Sequence, residues 1–279
     1  DAALFPECEA LCREYENLLS RTVKDSDIYR INHAGGDTCE VDPETASLIG
    51  KALEYCELTD GAVDITVAPL MDLWDFTSEA EKHVPAAEEI EEKLAHVDYR
   101  NISVTDHTVT ISDPEAAIDL GFIAKGFIAD KLKEFLLDKG VEHAIINLGG
   151  NVDLIGSKPD GSDYHIGIRK PFGAPSDYIT TVSASDTSLV SSGIYERYFE
   201  ENNRLYHHIL DPSTGYPVEN DLRQVTVLCK DSMKADALST SLLLLGKEKG
   251  TEFIDSMEDA SAAFTDTSDR LTYSEGFPR

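Results

Sequence analysis

The sequence predicts an α+β fold in one compact unit, a mixed sheet flanked by helices. Three observations carry that reading. Helix-periodic segments stand at both ends of the chain, while strands dominate residues 151–229. Strand, turn and helix signals alternate between about 116 and 148. No internal repeat and no low-complexity linker interrupts the 279 residues, of which 41% are hydrophobic, enough to bury a sizeable interior.

Taken in order, residues 5–20 place Leu11, Tyr15, Leu18 and Leu19 on one helical side. Asp42 is an N-cap and Pro43 a first helical residue for the next helix, where Leu48, Ile49, Ala52, Leu53 and Cys56 repeat until Asp60-Gly61 ends it. An acidic helix follows near 86–96, then a hairpin of strands near 101–104 and 108–111 around Asp106-His107. A strand near 116–119 should lead into a helix ending before Gly140, and AIINL at 144–148 forms another strand running into Gly149-Gly150. After the strand-rich centre, a helix from about 233 to 245 stops at Gly246, a second runs to about 257, and AAFTD and LTYSE form closing strands.

The composition excludes several classes of function. With 24 Lys+Arg against 53 Asp+Glu the formal net charge is −29, which repels nucleic acid and anionic lipid surfaces. A phosphate-bearing ligand would need a metal ion and a local basic group to offset that field. The five scattered cysteines form no disulfide framework, and Cys8 and Cys12, one helical turn apart, lack the second pair that would complete a metal site. The longest apolar stretch, LSTSLLLLG at 238–246, is too short to span a membrane; the 279 residues are read as holding no signal peptide, while a start at Asp1 without methionine is compatible with a processed or trimmed N-terminus.

Four segments set polar residues beside glycine. In Asp60–Thr66, Gly61 and the small residues after it would let the backbone approach a flat ring or a phosphate; the alternative is a helix C-cap followed by a buried strand. Asp119–Gly126 is a glycine-bearing strand-to-helix turn of the kind that presents amides to an anion. Lys125 stands near the helix start, where the dipole disfavours a cation, and a phosphate partner would explain it. In His207–Pro217, turn chemistry follows two histidines; strand geometry points them to opposite faces, so one of them can act as a general base. Asp236 and Thr240 share a helical face and are hard oxygen ligands suited to magnesium, unless this is merely a surface helix with polar i,i+4 neighbours.

Each signal is weak alone, but together SDIYRIN (26–32), GAVDITVAPLMDLW (61–74), IDLGFIAKGFIAD (118–130), INLGGNV (146–152), SSGIYERYF (191–199), HHILDPSTGYPV (207–218) and ADALST (235–240) resemble the ApbE family of FAD:protein FMN transferases across nearly the whole chain. The resemblance implies an ApbE-like, T-fold-related architecture and magnesium-dependent transfer of FMN from FAD to a threonine or serine of an acceptor protein, with AMP released. It places Asp236, Thr240 and the main-chain carbonyl of Phe122 as magnesium ligands, and His208 as general base. Ala62, Val63, Asp64, Asp119 and Lys125 would contact the flavin nucleotide, with His207 and Ile209 beside it.

The chain departs from the family pattern in three places. Phe122 replaces a small residue, Thr22 stands where many relatives carry an aromatic, and the family's first strand is absent before Asp1. The implied acceptor is a subunit of a redox complex carrying a Ser/Thr-Gly-Ala-Thr-like motif. The implied location is the outer face of the cytoplasmic membrane, with a lipid anchor upstream of this chain. The competing functions are an FAD pyrophosphatase, with water in place of the hydroxyl, and a non-catalytic flavin-binding surface protein.

Overall fold

Local signals account for most elements of the computed structural model, which describes residues 2–278. In chain order they are α1 Phe5–Leu19, α2 Asp27–Asn32, β1 Cys39–Glu40, α3 Pro43–Leu58, α4 Ala68–Trp74, α5 Ala87–Leu94, β2 Ile102–Thr105, β3 Thr108–Ile111, α6 Ala124–Asp138, β4 Ala144–Leu148 and β5 Asn151–Ile155. Then come β6 Tyr164–Arg169, β7 Tyr178–Ala184, β8 Ser188–Gly193, β9 Tyr198–Glu201, β10 Arg204–His207, β11 Leu222–Cys229, α7 Ser232–Leu245, α8 Lys247–Asp255, β12 Ala260–Asp266 and β13 Leu271–Tyr273. The Asp42 carboxylate accepts the Glu44 amide at 2.8 Å, as its place before Pro43 requires.

Three expectations change. The α+β class holds, but every pair of named strands is antiparallel, so the expected mixed sheet is replaced by antiparallel ones. Residues 116–119 form no strand. Their ladder is a single parallel bridge between Val67 and Ala117, and the Asn32 amide substitutes for a neighbouring strand by donating to Ile118 O (2.9 Å) and accepting from Ile118 N (2.7 Å). The segment after Gly61 is likewise a buried loop rather than a strand, while α2 and α4 carry no clear periodicity in sequence and form nonetheless.

Within the linker-free chain, two compact units are threaded through each other in sequence. One gathers the residues before Ala10, Phe122–Tyr195 and the residues from Asn220 onward; the other holds Ala10–Gly121 and Glu196–Glu219.

The first unit is built on a six-stranded sheet ordered β13-β12-β11-β8-β5-β4. Strand alternation sends Leu154, Leu189 and Ala263 to one face, where the β6–β7 ribbon supplies Tyr164, Ile168, Val182 and Ala184. On the other face α7 packs on β8 and β11, α6 on β4 and β5, and α8 on β12. Helices α6 and α7 cap each other's opening turns. Asp130 of α6 accepts the amides of Ser232 (2.9 Å) and Met233 (2.7 Å). Asp236 of α7 accepts the amide of Gly126 at 2.8 Å. Any Cβ at Gly126 would strike the Ser232 carbonyl and stand 2.7 Å from both Asp236 Cβ and Met233 Cα.

The second unit packs α4 and α5 together beside the small sheets β1-β3-β2 and β10-β9. Its core is aromatic: Trp74 lies 5.7 Å from Phe76, 5.6 Å from Tyr206 and 5.7 Å from Tyr216. The indole donates to Gly215 O at 2.8 Å, which ties the turn after β10 to α4.

Two glycine substitutions should therefore act in opposite directions. Gly126→Ala should cost about 1–3 kcal/mol by overpacking. Gly50→Ala, in the interior of α3 with nothing within 4 Å of the added carbon, should stabilise by about 0.5–1 kcal/mol. Urea denaturation of both variants checks the pair.

Candidate active site

In the first unit three of the expected residues come together. Asp236 is 1% exposed. One of its oxygens accepts from Gly126 N at 2.8 Å and the other from Lys125 Nζ at 3.3 Å. Burial raises its pKa, while Lys125, the Gly126 amide and the Asn151 side chain pull it back down. The Asn151 amide makes no full hydrogen bond there, and its Nδ2 is buried without a partner. The surface-helix alternative for Asp236 is excluded by this burial. The cation at the start of α6 also finds a reason within the protein, since it faces a buried carboxylate and not only a prospective phosphate. One turn along α7, Thr240 Oγ1 lies 2.9 Å from Ser192 Oγ, which is itself 2.7 Å from Ser239 Oγ. Phe122, half-buried, precedes α6 by two residues.

The second unit holds the remaining expected residues. Each oxygen of Asp119 takes one protein donor, Gly121 N at 2.6 Å and Arg21 Nε at 2.7 Å, with Arg21 also donating to Asp72 at 2.5 Å. The Asp64 carboxylate is buried and fully employed, taking Thr66 N (2.8 Å), Thr66 Oγ1 (2.5 Å) and Tyr99 N (2.9 Å). Burial pushes its pKa up against those bonds. What the Ala62-Val63-Asp64 turn can still offer a ligand is main chain, because Val63 is buried and Asp64 is occupied.

The two histidines differ as strand geometry requires. His207 ends β10, is 5% exposed, and has Nε2 3.2 Å from Val218 O. A carbonyl only accepts, so Nε2 carries the proton and the buried Nδ1 is left without a partner. Burial drives its pKa down to about 4, against the Val218 bond, so this ring stays neutral. His208 is half-buried, and its Nδ1 lies 3.3 Å from Arg197 O. By the same argument its proton sits on Nδ1 and its lone pair on Nε2. Ile209 is buried, its carbonyl taking Val218 N at 3.0 Å. The turn beyond is closed by Gly215 N to Asp211 O (2.8 Å) and by Ser213 N to the Asp211 carboxylate (2.8 Å).

A family model described as the ApbE family matches residues 3–264. The chain belongs to the ApbE family. It is 37% identical to an FAD:protein FMN transferase of Klebsiella pneumoniae over 95% of this chain and 82% of that one. With the protein of the same name in Vibrio cholerae it shares 34% identity over 88% and 75% of the respective chains. The crystal structure of the ApbE protein of Thermotoga maritima superposes with a TM-score of 0.92 at 35% identity, covering 100% of this chain and 92% of that one. The flavin transferase ApbE of Vibrio cholerae superposes with a TM-score of 0.86 at 30% identity, covering 99% and 90%.

The donor set of this ApbE chain suits a hard divalent cation. Asp236 is a buried carboxylate that one lysine and one amide offset only in part, and Thr240 supplies a hydroxyl on the same helical face. Among the described residues no group of three or more His, Cys, Asp or Glu converges on one point. Magnesium fits such a sparse site, since it commonly takes one or two protein carboxylates and completes its shell with water and substrate phosphate.

Sequence reading missed Arg21, Asn151 and Ser192. The last two lie inside recognised motifs, and strand alternation puts both on the helix-facing side of the sheet. Arg21 carries no local signal, because its partner Asp119 is 98 residues away.

The buried, neutral His207 should make stability pH-dependent. Its folded pKa of about 4 lies below the ordinary 6.5, so the unfolded chain takes up the proton first. The contribution is present above pH about 6.5 and is lost as pH falls toward 4, amounting to roughly 3 kcal/mol. Chemical denaturation across that range should show a shallower pH slope for His207→Phe than for the wild type.

Proposed function

We propose that this chain transfers FMN from FAD to a threonine or serine hydroxyl of an acceptor protein, with magnesium bound and AMP as the leaving product. The observation that carries the reading is the buried Asp236 carboxylate at the opening turn of α6, faced by Lys125 and Asn151, with Thr240 one turn along the same helix, in a chain that aligns with FAD:protein FMN transferases over most of its length. Magnesium, which Asp236, Thr240 and the Phe122 carbonyl would hold, neutralises phosphate charge when bound.

The chain's own residues do the rest. Lys125 offsets charge on the substrate pyrophosphate, relieving the −29 field locally. His208 Nε2 takes the acceptor hydroxyl's proton as the oxygen bonds to the FMN-side phosphorus. The phosphorus–oxygen bond to AMP breaks, and AMP departs with the electron pair. Asp119, clamped by Arg21, and the main chain of the Ala62–Asp64 turn position the nucleotide, while buried His207 and Ile209 shape the wall beside it. We further propose, on the family resemblance, that the acceptor belongs to a redox complex and bears a Ser/Thr-Gly-Ala-Thr-like motif. The same resemblance supports work at the outer face of the cytoplasmic membrane, held by a lipid anchor. No helix among the described residues is long and apolar enough to cross a membrane.

Mass spectrometry after mixing the protein with FAD, magnesium and a Ser-Gly-Ala-Thr peptide tests the reaction. One FMN should appear on the peptide's threonine, with the protein's own mass unchanged; AMP and free FMN with an unmodified peptide would mean hydrolysis instead. His208→Asn should lower transfer by about 10²–10⁴-fold with FAD still bound, the usual worth of a positioned base. His207→Asn should affect transfer less. Asp236→Asn should abolish magnesium-dependent turnover, and calorimetric titration of magnesium in the presence of FAD should show its binding lost.

A further inference from the structure

Away from these clusters, the first unit carries a ladder of side chains in which two touching aromatic rings are flanked by two arginines. The Arg169 guanidinium stands 5.4 Å over the Tyr195 ring, Tyr195 meets Phe172 edge-on at 6.0 Å, and Arg223 stands 5.6 Å over Phe172. Phe172 is 40% exposed and sits at φ 58°, a left-handed backbone that a bulky residue rarely adopts. Its loop is firmly built: Lys170 N bonds Asp177 O at 2.8 Å, Gly173 N bonds Lys170 O at 3.0 Å, and Asp177 N bonds Ala174 O at 2.9 Å. A strained, exposed ring held in a closed loop points to a use for that ring.

Charge sets the surface apart from the rest of the molecule. Lys170 and Arg223 share one carboxylate, Asp269, at 3.3 and 2.8 Å. With Arg169 beside them, three cations gather here against the carboxylates of Asp269 and Asp177, in a chain whose net charge is −29. The inner end of the ladder leads to the candidate active site. The Tyr195 ring lies against the Cα of Gly193, and the preceding residue, Ser192, bonds Thr240.

We propose that this ladder is the docking platform for the acceptor protein, taking an acidic segment that flanks the modified hydroxyl residue; the inference rests on the transferase reading above. Arginines braced on aromatic rings combine steering of an acidic partner with a desolvated anchor. An anionic lipid surface shares part of that chemistry. The overall charge repels such a surface, however, and the continuity with Ser192 favours the acceptor.

Two synthetic peptides sharing Ser-Gly-Ala-Thr, one flanked by aspartates and the other by serines, serve as probes with FAD and magnesium. The wild type should show a KM about tenfold lower for the acidic peptide, as an anchored contact gives. That preference should collapse in Phe172→Asn, in Arg223→Gln, and for the wild type in about 1 M salt, with kcat and FAD affinity unchanged. Asparagine tolerates the left-handed φ, so the first variant removes the ring without adding strain; should it fail to fold by thermal melting, Arg223→Gln decides alone. Equal KM values for the two peptides on the wild type, or variants that change both peptides alike, would overturn the platform while leaving the transferase reading standing. So would wild-type co-sedimentation with phosphatidylglycerol vesicles that both variants abolish while the peptide preference persists. Flavinylation of neither peptide would remove the transferase reading and this inference with it.

Discussion

The contact on which the first unit turns is the mutual capping of α6 and α7. A helix start leaves amides unpaired, and burying them without partners is costly. Here each helix satisfies the other: Asp130 takes the amides that open α7, and Asp236 takes one that opens α6. The two backbones can come this close only because residue 126 has no side chain. Burial raises the pKa of both carboxylates, so the arrangement holds charge where water would have held it more cheaply.

That expense is what makes the site chemically useful. A carboxylate solvated on a surface has little drive to acquire a cation, whereas one buried among a lysine, an amide and an asparagine retains an uncompensated demand. The same residue thus caps a helix and, in the function proposed above, would hold the metal. The hydroxyls of Ser192 and Ser239 extend the arrangement by holding Thr240 in register one turn further along. In the second unit the division of labour falls between adjacent histidines. Strand alternation buries His207 and leaves His208 half-exposed, and carbonyl partners set opposite tautomers on the two rings.

The excess of negative charge coexists with anion chemistry because the cations that matter are placed individually. Lys125 faces Asp236, and Arg21 is stretched between Asp72 and Asp119. Each is fixed by a carboxylate near enough to orient it, so local geometry outweighs a field that solvent screens over about 8–10 Å.

How much was legible beforehand depends on the range of the interactions involved. The sequence by itself determined α3 through Asp42-Pro43, the hairpin through Asp106, α7 and α8 through Gly246, and the family through seven spaced motifs, because caps, turns and periodicity act within a few residues. It also placed Asp236 and Thr240 on one face, which needs only helical spacing. It could not show that 116–119 would find a side-chain amide in place of a strand, since Asn32 lies 86 residues away. Nor could it reveal that Arg21 would clamp Asp119, or that Asp236 would be buried as a cap for α6. Those outcomes belong to tertiary structure, because burial and long-range hydrogen bonds are settled only when distant segments meet. The division into two units was hidden for the same reason: the chain crosses between them without a linker, and composition records nothing of which segments pack together.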